Sequence, residues 1–68
     1  MKFTPRELDV ITLVAEGYVD KEIATHLRMS PRTVQTHIYS VINKLGARNR
    51  TNAAVLYVKN QYKNLWKK

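Results

Sequence analysis

The chain has 68 residues with a formal net charge of +7 and no cysteine. That is enough for one compact domain over residues 1–68, with a core small enough that a partner would add needed stability. The absence of cysteine excludes disulfide staples and thiolate metal sites. The opening MKFTPRELDV lacks the apolar run of a signal peptide, and no stretch approaches the ~20 apolar residues of a membrane span. The expected location is therefore the bacterial cytoplasm.

The first predicted helix starts at Thr4-Pro5-Arg6-Glu7. Threonine caps, proline takes the first helical position, and a glutamate at the third can satisfy the cap's own amide. Leu8, Ile11, Val14 and Ala15 follow at helical spacing as the expected buried stripe, and Gly17 supplies the stop. A second, short helix runs from about Asp20, its expected cap, to Leu27. Ile23, Ala24 and Leu27 form its inner stripe, with Ala24 small enough for a crossing helix to come close. The turn is Arg28-Met29-Ser30, with Met29 pointing inward.

The third helix opens on Ser30 as cap and Pro31 in the first turn, and runs to Leu45 before Gly46. At about 100° per residue, with Arg32 at zero, Val34, Ile38, Val41 and Leu45 fall between roughly 180° and 240° as one apolar stripe. Arg32, Gln35, Thr36, Tyr39, Ser40 and Asn43 fall on the opposite side, which carries neither an acid nor an aliphatic residue. The fourth helix begins near Asn49 or Arg50 and continues to about Lys59. Ala53, Ala54, Tyr57 and Val58 share one face, expected to close the core. Asn52, Val55, Leu56 and Lys59 share another, for which a partner subunit or the tail is the natural cover. A basic aromatic tail over residues 60–68 follows a core of about residues 3–59.

The charge is divided along the chain. All five acids lie before residue 23, and residues 23–68 carry nine basic side chains and no acid. A block of one sign seeks a polyanion or a polyanionic surface: nucleic acid, a membrane face or an acidic protein. The second and third helices decide among these. A supporting helix, a short turn and a second helix whose outer face is polar and free of acids are what a helix-turn-helix needs to present a helix to the major groove. A cationic membrane-surface peptide fits poorly, because the basic residues flank a capped globular pattern instead of lining one face of one helix.

The stretch from Phe3 to Val55 resembles the DNA-binding domain of the LuxR/FixJ/NarL-type (GerE-like) family of bacterial regulators. The matching elements are PRELDVI, KEIA, the serine-x-x-TV start of the third helix, the KLG close, and Arg50 ahead of Ala53-Ala54. The resemblance implies an all-α, four-helix LuxR-type helix-turn-helix domain whose fourth helix forms a dimer contact. Three positions depart from the family pattern. Val19 stands where serine or threonine is usual, Gln35 where lysine is usual, and Ser40 where asparagine is common. Gln35 removes one cation from the groove-facing surface and turns base preference toward adenine, whose N6 and N7 match a carboxamide.

The expected function is a dimeric, sequence-specific double-stranded DNA-binding transcription regulator, nucleoid-associated, with RNA polymerase as a further candidate partner. Gln35, Thr36 and Tyr39 are the candidate base contacts. Lys21, Arg32, Thr33, His37, Ser40, Asn43 and Lys44 are candidates for the DNA backbone, where helix N-terminal amides also serve. Asn52, Val55, Leu56 and Lys59 are the candidate dimer interface. For each lysine a solvated surface role competes, and His37 at the edge of the buried stripe reads first as a core-edge histidine. Glu7 is expected to pair with Arg50 and tie the first helix to the fourth. His26 and His37 have no visible third metal ligand, no catalytic set or glycine-rich phosphate loop is present, and no cofactor, metal, small-molecule ligand, membrane or enzymatic role is expected. Two alternatives share the fold: a sigma-factor-like promoter-reading module, and a small regulator that sequesters a larger LuxR-type partner through its fourth helix.

Overall fold

A computed structural model describes residues 3–61. Four helices follow one another: α1 (Pro5–Ala15), α2 (Asp20–Leu27), α3 (Pro31–Leu45) and α4 (Arg50–Gln61). Among the described residues there is no strand. The boundaries follow local chemistry. Thr4 Oγ1 accepts the Glu7 N–H at 3.1 Å while Glu7 Oε1 accepts the Thr4 N–H at 2.8 Å, closing a capping box on α1. Ser30 Oγ accepts the Thr33 N–H at 3.1 Å at the start of α3, and Asn49 Oδ1 accepts the Asn52 N–H at 2.8 Å at the start of α4.

α1, α2 and α3 end in the same way. The Tyr18 N–H reaches the Leu13 carbonyl, Met29 reaches Ala24, and Ala47 reaches Ile42, each across a residue with positive φ. Gly17 and Gly46 fill that position after α1 and α3. After α2 it is Arg28, at φ 57°. An L side chain meets steric resistance there that glycine does not.

α2 departs from the sequence expectation at its start. Asp20 is the first helical residue, not the cap; the cap position is held by Val19, whose side chain makes no hydrogen bond. Glu22 compensates from inside the helix, its Oε1 accepting the Val19 N–H at 2.9 Å. This frees the Asp20 carboxylate for tertiary contacts.

Two apolar clusters hold the helices together. Val10, Ile23, Ala24, Val34 and Ile38 join α1, α2 and α3, with Leu13, Leu27 and Met29 packed around them. Ile11, Val41 and Ala53 join α1, α3 and α4, flanked by Phe3, Leu45, Ala54 and Tyr57. The adjacent residues Val10 and Ile11 thus feed different clusters. Full burial of each valine or isoleucine among them contributes roughly 1.5–3 kcal/mol. A hydrogen bond of 2.9 Å between the Thr12 and Tyr57 hydroxyls adds a polar tie from α1 to α4.

The inner face of α1 differs from the stripe expected from apolar residues alone. Leu8 is 38% exposed, whereas Val10 is fully buried. The buried line is Glu7, Val10 and Ile11, continued by half-buried Val14. Its helical spacing is regular only if a glutamate is admitted to it. On α4, Ala53 is buried and Ala54 and Tyr57 pack beside it, but Val58 is 38% exposed and does not join the core face assigned to it from sequence.

Candidate nucleic-acid interface

α2 crosses behind α3 and buries Ile23 and Ala24 against Val34 and Ile38. Since residues at the apolar stripe face inward, the other side of the same helix must face out. Gln35, Thr36 and Tyr39 are all exposed there, Tyr39 to 69%. The Thr36 hydroxyl donates to the Arg32 carbonyl at 3.1 Å, which fixes its rotamer and leaves its oxygen lone pairs available as acceptors. Arg32, Thr33 and Asn43 are also exposed on α3, and Lys21 is exposed on α2. Thr33 Oγ1 lies 2.9 Å from Ser30 Oγ, a second tie across the first turn of α3. His37 is half-buried.

Ser40 and Lys44 are placed differently from Gln35, Thr36 and Tyr39. Both reach back to Glu7 on α1. Lys44 Nζ lies 2.7 Å from Glu7 Oε1, and the Ser40 hydroxyl donates to Glu7 Oε2. Lys44 also sits 5.8 Å from the centre of the Phe3 ring. Glu7 is 4% exposed. Hydrogen bonds from Lys44, from Ser40 and from the Thr4 amide hold its pKa down to about 2, against the opposing effect of burial.

The expected pairing of Glu7 with Arg50 is therefore corrected: Glu7 belongs to Lys44, and Arg50 belongs to Asp20, with Arg50 Nη1 2.5 Å from Asp20 Oδ1. The first turn of α1 faces the C-terminal half of α3, while a side-chain ion pair reaches from the start of α4 to the start of α2. The second oxygen of Asp20 accepts from Gln35 Nε2 at 3.4 Å. Sequence reasoning missed this junction because it had assigned Asp20 to its own helix end. The available signal was an acid next to a cap position already served by Glu22.

On α4, Val55 is 45% exposed and Lys59 is exposed, while Leu56 is half-buried beside Leu45, Lys59 and Asn60. Asn52 is half-buried and its Oδ1 accepts the Arg48 N–H at 2.9 Å, so its side chain is engaged in holding the loop before α4. The tail expected over residues 60–68 lies outside the described residues from 62 onward. Among the described residues no three His, Asp or Glu side chains converge as a metal site, and no helix is long and apolar enough to cross a membrane. His26 instead stacks on Tyr18, with ring centres 6.3 Å apart.

A supporting helix, a three-residue turn and a second helix with an open, acid-free outer face define a helix-turn-helix DNA-binding domain. The chain belongs to the LuxR family of bacterial regulatory proteins, whose family model matches residues 1–57. It is similar to the transcriptional regulatory protein LiaR of Bacillus subtilis, 43% identical over 61 residues that cover 90% of this chain and 29% of LiaR. It is also similar to the uncharacterized transcriptional regulatory protein YhcZ of the same organism, 45% identical over 85% of this chain and 27% of YhcZ. The response regulator protein VraR of Staphylococcus aureus is 36% identical over 76% of this chain and 25% of its own length. The chain thus spans less than a third of the length of these relatives.

Proposed function

We propose that the chain binds double-stranded DNA in a sequence-specific way as a dimer, with α3 in the major groove. The observation that carries this reading is the outward face of α3, where Gln35, Thr36 and Tyr39 stand exposed on a helix whose opposite side is locked into the core. Gln35 and Thr36 offer hydrogen bonds to base edges, and Tyr39 offers its ring and hydroxyl. Arg32, Thr33, Asn43 and Lys21 lie where phosphates flank such a helix, with His37 at its half-buried edge. Ser40 and Lys44 would reach phosphate only in competition with Glu7, so their contribution is the smallest of the set. Val55, Leu56 and Lys59 on α4 form the dimer contact, with Asn52 shaping the loop beside it. Two such subunits present two recognition helices to half-sites about one turn of DNA apart. The domain works in the bacterial cytoplasm on nucleoid DNA, with RNA polymerase as a further partner.

The test is selection from a randomised duplex pool at two salt concentrations. Enrichment of a repeated half-site, lost in Gln35→Ala, supports the reading. Salt-sensitive binding with no enriched sequence rejects it.

A second reading is favoured by one observation. Val55 and Val58 leave apolar surface on α4, and a chain that uses this face to sequester a larger family member would lose its partner on Val55→Asp while being indifferent to Gln35→Ala.

A further inference from the structure

The geometry points to Asp20 as the residue that sets the base preference of the recognition helix by orienting the Gln35 carboxamide. This inference rests on the DNA-binding reading of α3.

Asp20 divides its two oxygens between two helices. Oδ1 faces the Arg50 guanidinium of α4 at 2.5 Å, and Oδ2 faces Gln35 Nε2 of α3 at 3.4 Å. The ion pair is the shorter contact and fixes the carboxylate; the amide contact is longer and orients without clamping. An ionised carboxylate can only accept hydrogen bonds. Gln35 must therefore turn its nitrogen toward Asp20 and its carbonyl oxygen away. A free glutamine amide can rotate by half a turn and exchange its donor and acceptor ends. Here the carboxylate disfavours one of the two orientations, the one that would set the Gln35 carbonyl oxygen against it. What remains for the groove is the carbonyl oxygen and the second N–H, side by side. That pair complements the N6 donor and N7 acceptor of adenine. Removing the carboxylate would return the amide to both orientations, and with them to bases that present acceptors, such as guanine and thymine. Asp20 never needs to touch DNA to do this. It acts through Gln35 as a positioning residue, and Arg50 offsets the negative charge it would otherwise bring near the phosphates.

Replacing Asp20 by asparagine sharpens the expectation. Arg50 still demands an oxygen, so the asparagine nitrogen is left facing Gln35. Gln35 must then present its carbonyl inward and its N–H groups outward. The expected outcome of duplex selection is a wild-type half-site with adenine at one Gln35-dependent position. In Asp20→Asn the adenine preference at that position falls by about tenfold, the scale of one bidentate contact, while preferences at the other positions persist. Asp20→Ser withdraws the side chain from Gln35 altogether and keeps a residue suited to a helix start; it should flatten that position without inverting it. A purely structural role for Asp20 would weaken all positions alike.

A second measurement needs no DNA. In the free protein one Nε2 proton of Gln35 should resonate downfield of its counterpart in Gln61, and Asp20→Ser should abolish that difference. An unchanged Gln35 amide overturns the pairing itself. An enriched site whose Gln35-dependent base is untouched by both Asp20 variants overturns the role of Asp20 alone. Failure of the wild-type protein to enrich any sequence overturns the parent reading and this one with it.

Discussion

Lys44 Nζ and Glu7 Oε1 lie 2.7 Å apart across the junction of α1 and α3, with Glu7 almost wholly buried and Lys44 about one-third exposed. The pair joins the C-terminal half of α3 to the first turn of α1. It sits between the capping box of α1 and the Phe3 ring, so a single carboxylate serves helix initiation and tertiary docking at once.

Stability should therefore depend on pH through Glu7. Its pKa is lowered from 4.5 to about 2 in the folded chain. A depressed carboxylate contributes stability that is fully present above its unfolded value and is lost as pH falls through its folded value. Thermal melts should fall progressively between pH 4.5 and pH 2, and Glu7→Gln should flatten that dependence. An equally steep acid limb in Glu7→Gln would place the titrating group elsewhere.

Removing the other partner tests the same junction at neutral pH. Lys44→Ala leaves a buried carboxylate without its cation. The expected cost is on the order of 2 kcal/mol in urea unfolding. This is below the roughly 3–5 kcal/mol typical of fully buried pairs, because the Lys44 side chain is partly solvated. A loss under about 0.5 kcal/mol would mean that Ser40 and Thr4 satisfy Glu7 unaided.

Arg28 occupies a left-handed position that Gly17 and Gly46 fill elsewhere. Arg28→Gly should raise stability by about 0.5–1 kcal/mol through relief of that backbone cost. Chemical denaturation measures it directly, and a decrease would show that the arginine side chain has a compensating contact.

Neighbours on α3 should separate cleanly. Val34 is fully buried, whereas Gln35 faces out. Val34→Ala should cost about 1–3 kcal/mol of stability. Gln35→Ala should leave stability within about 0.5 kcal/mol and lower affinity for the selected DNA site by about 1–3 kcal/mol. Arg32→Ala should instead weaken binding to all sequences and reduce the salt dependence by about one counterion. Fluorescence anisotropy at several salt concentrations distinguishes the two.

The four helices were legible in the sequence because caps, prolines and glycines mark their ends and because α3 carries a regular apolar stripe. The outward placement of Gln35, Thr36 and Tyr39 followed from the same periodicity. What was not legible turns on charged residues acting as interior ones. Glu7 occupies a core position on α1, so counting apolar residues alone moved the stripe to Leu8 and passed over Val10. Asp20 and Arg50 lie far apart in sequence, and periodicity within one helix says nothing about which acid meets which base across helices. Val58 shares a helical face with Ala54 but stays 38% exposed, and a shared face within one helix does not say how far the neighbouring helices extend over it.

The two apolar clusters take their α3 residues from Val34, Ile38 and Val41, and none from Gln35, Thr36 or Tyr39. On the proposed reading of α3, packing and base recognition therefore fall to interleaved positions of one helix. If those outward positions read the bases, substituting them would redirect the domain to a different half-site with little consequence for the scaffold, because none of the three side chains helps to close the core.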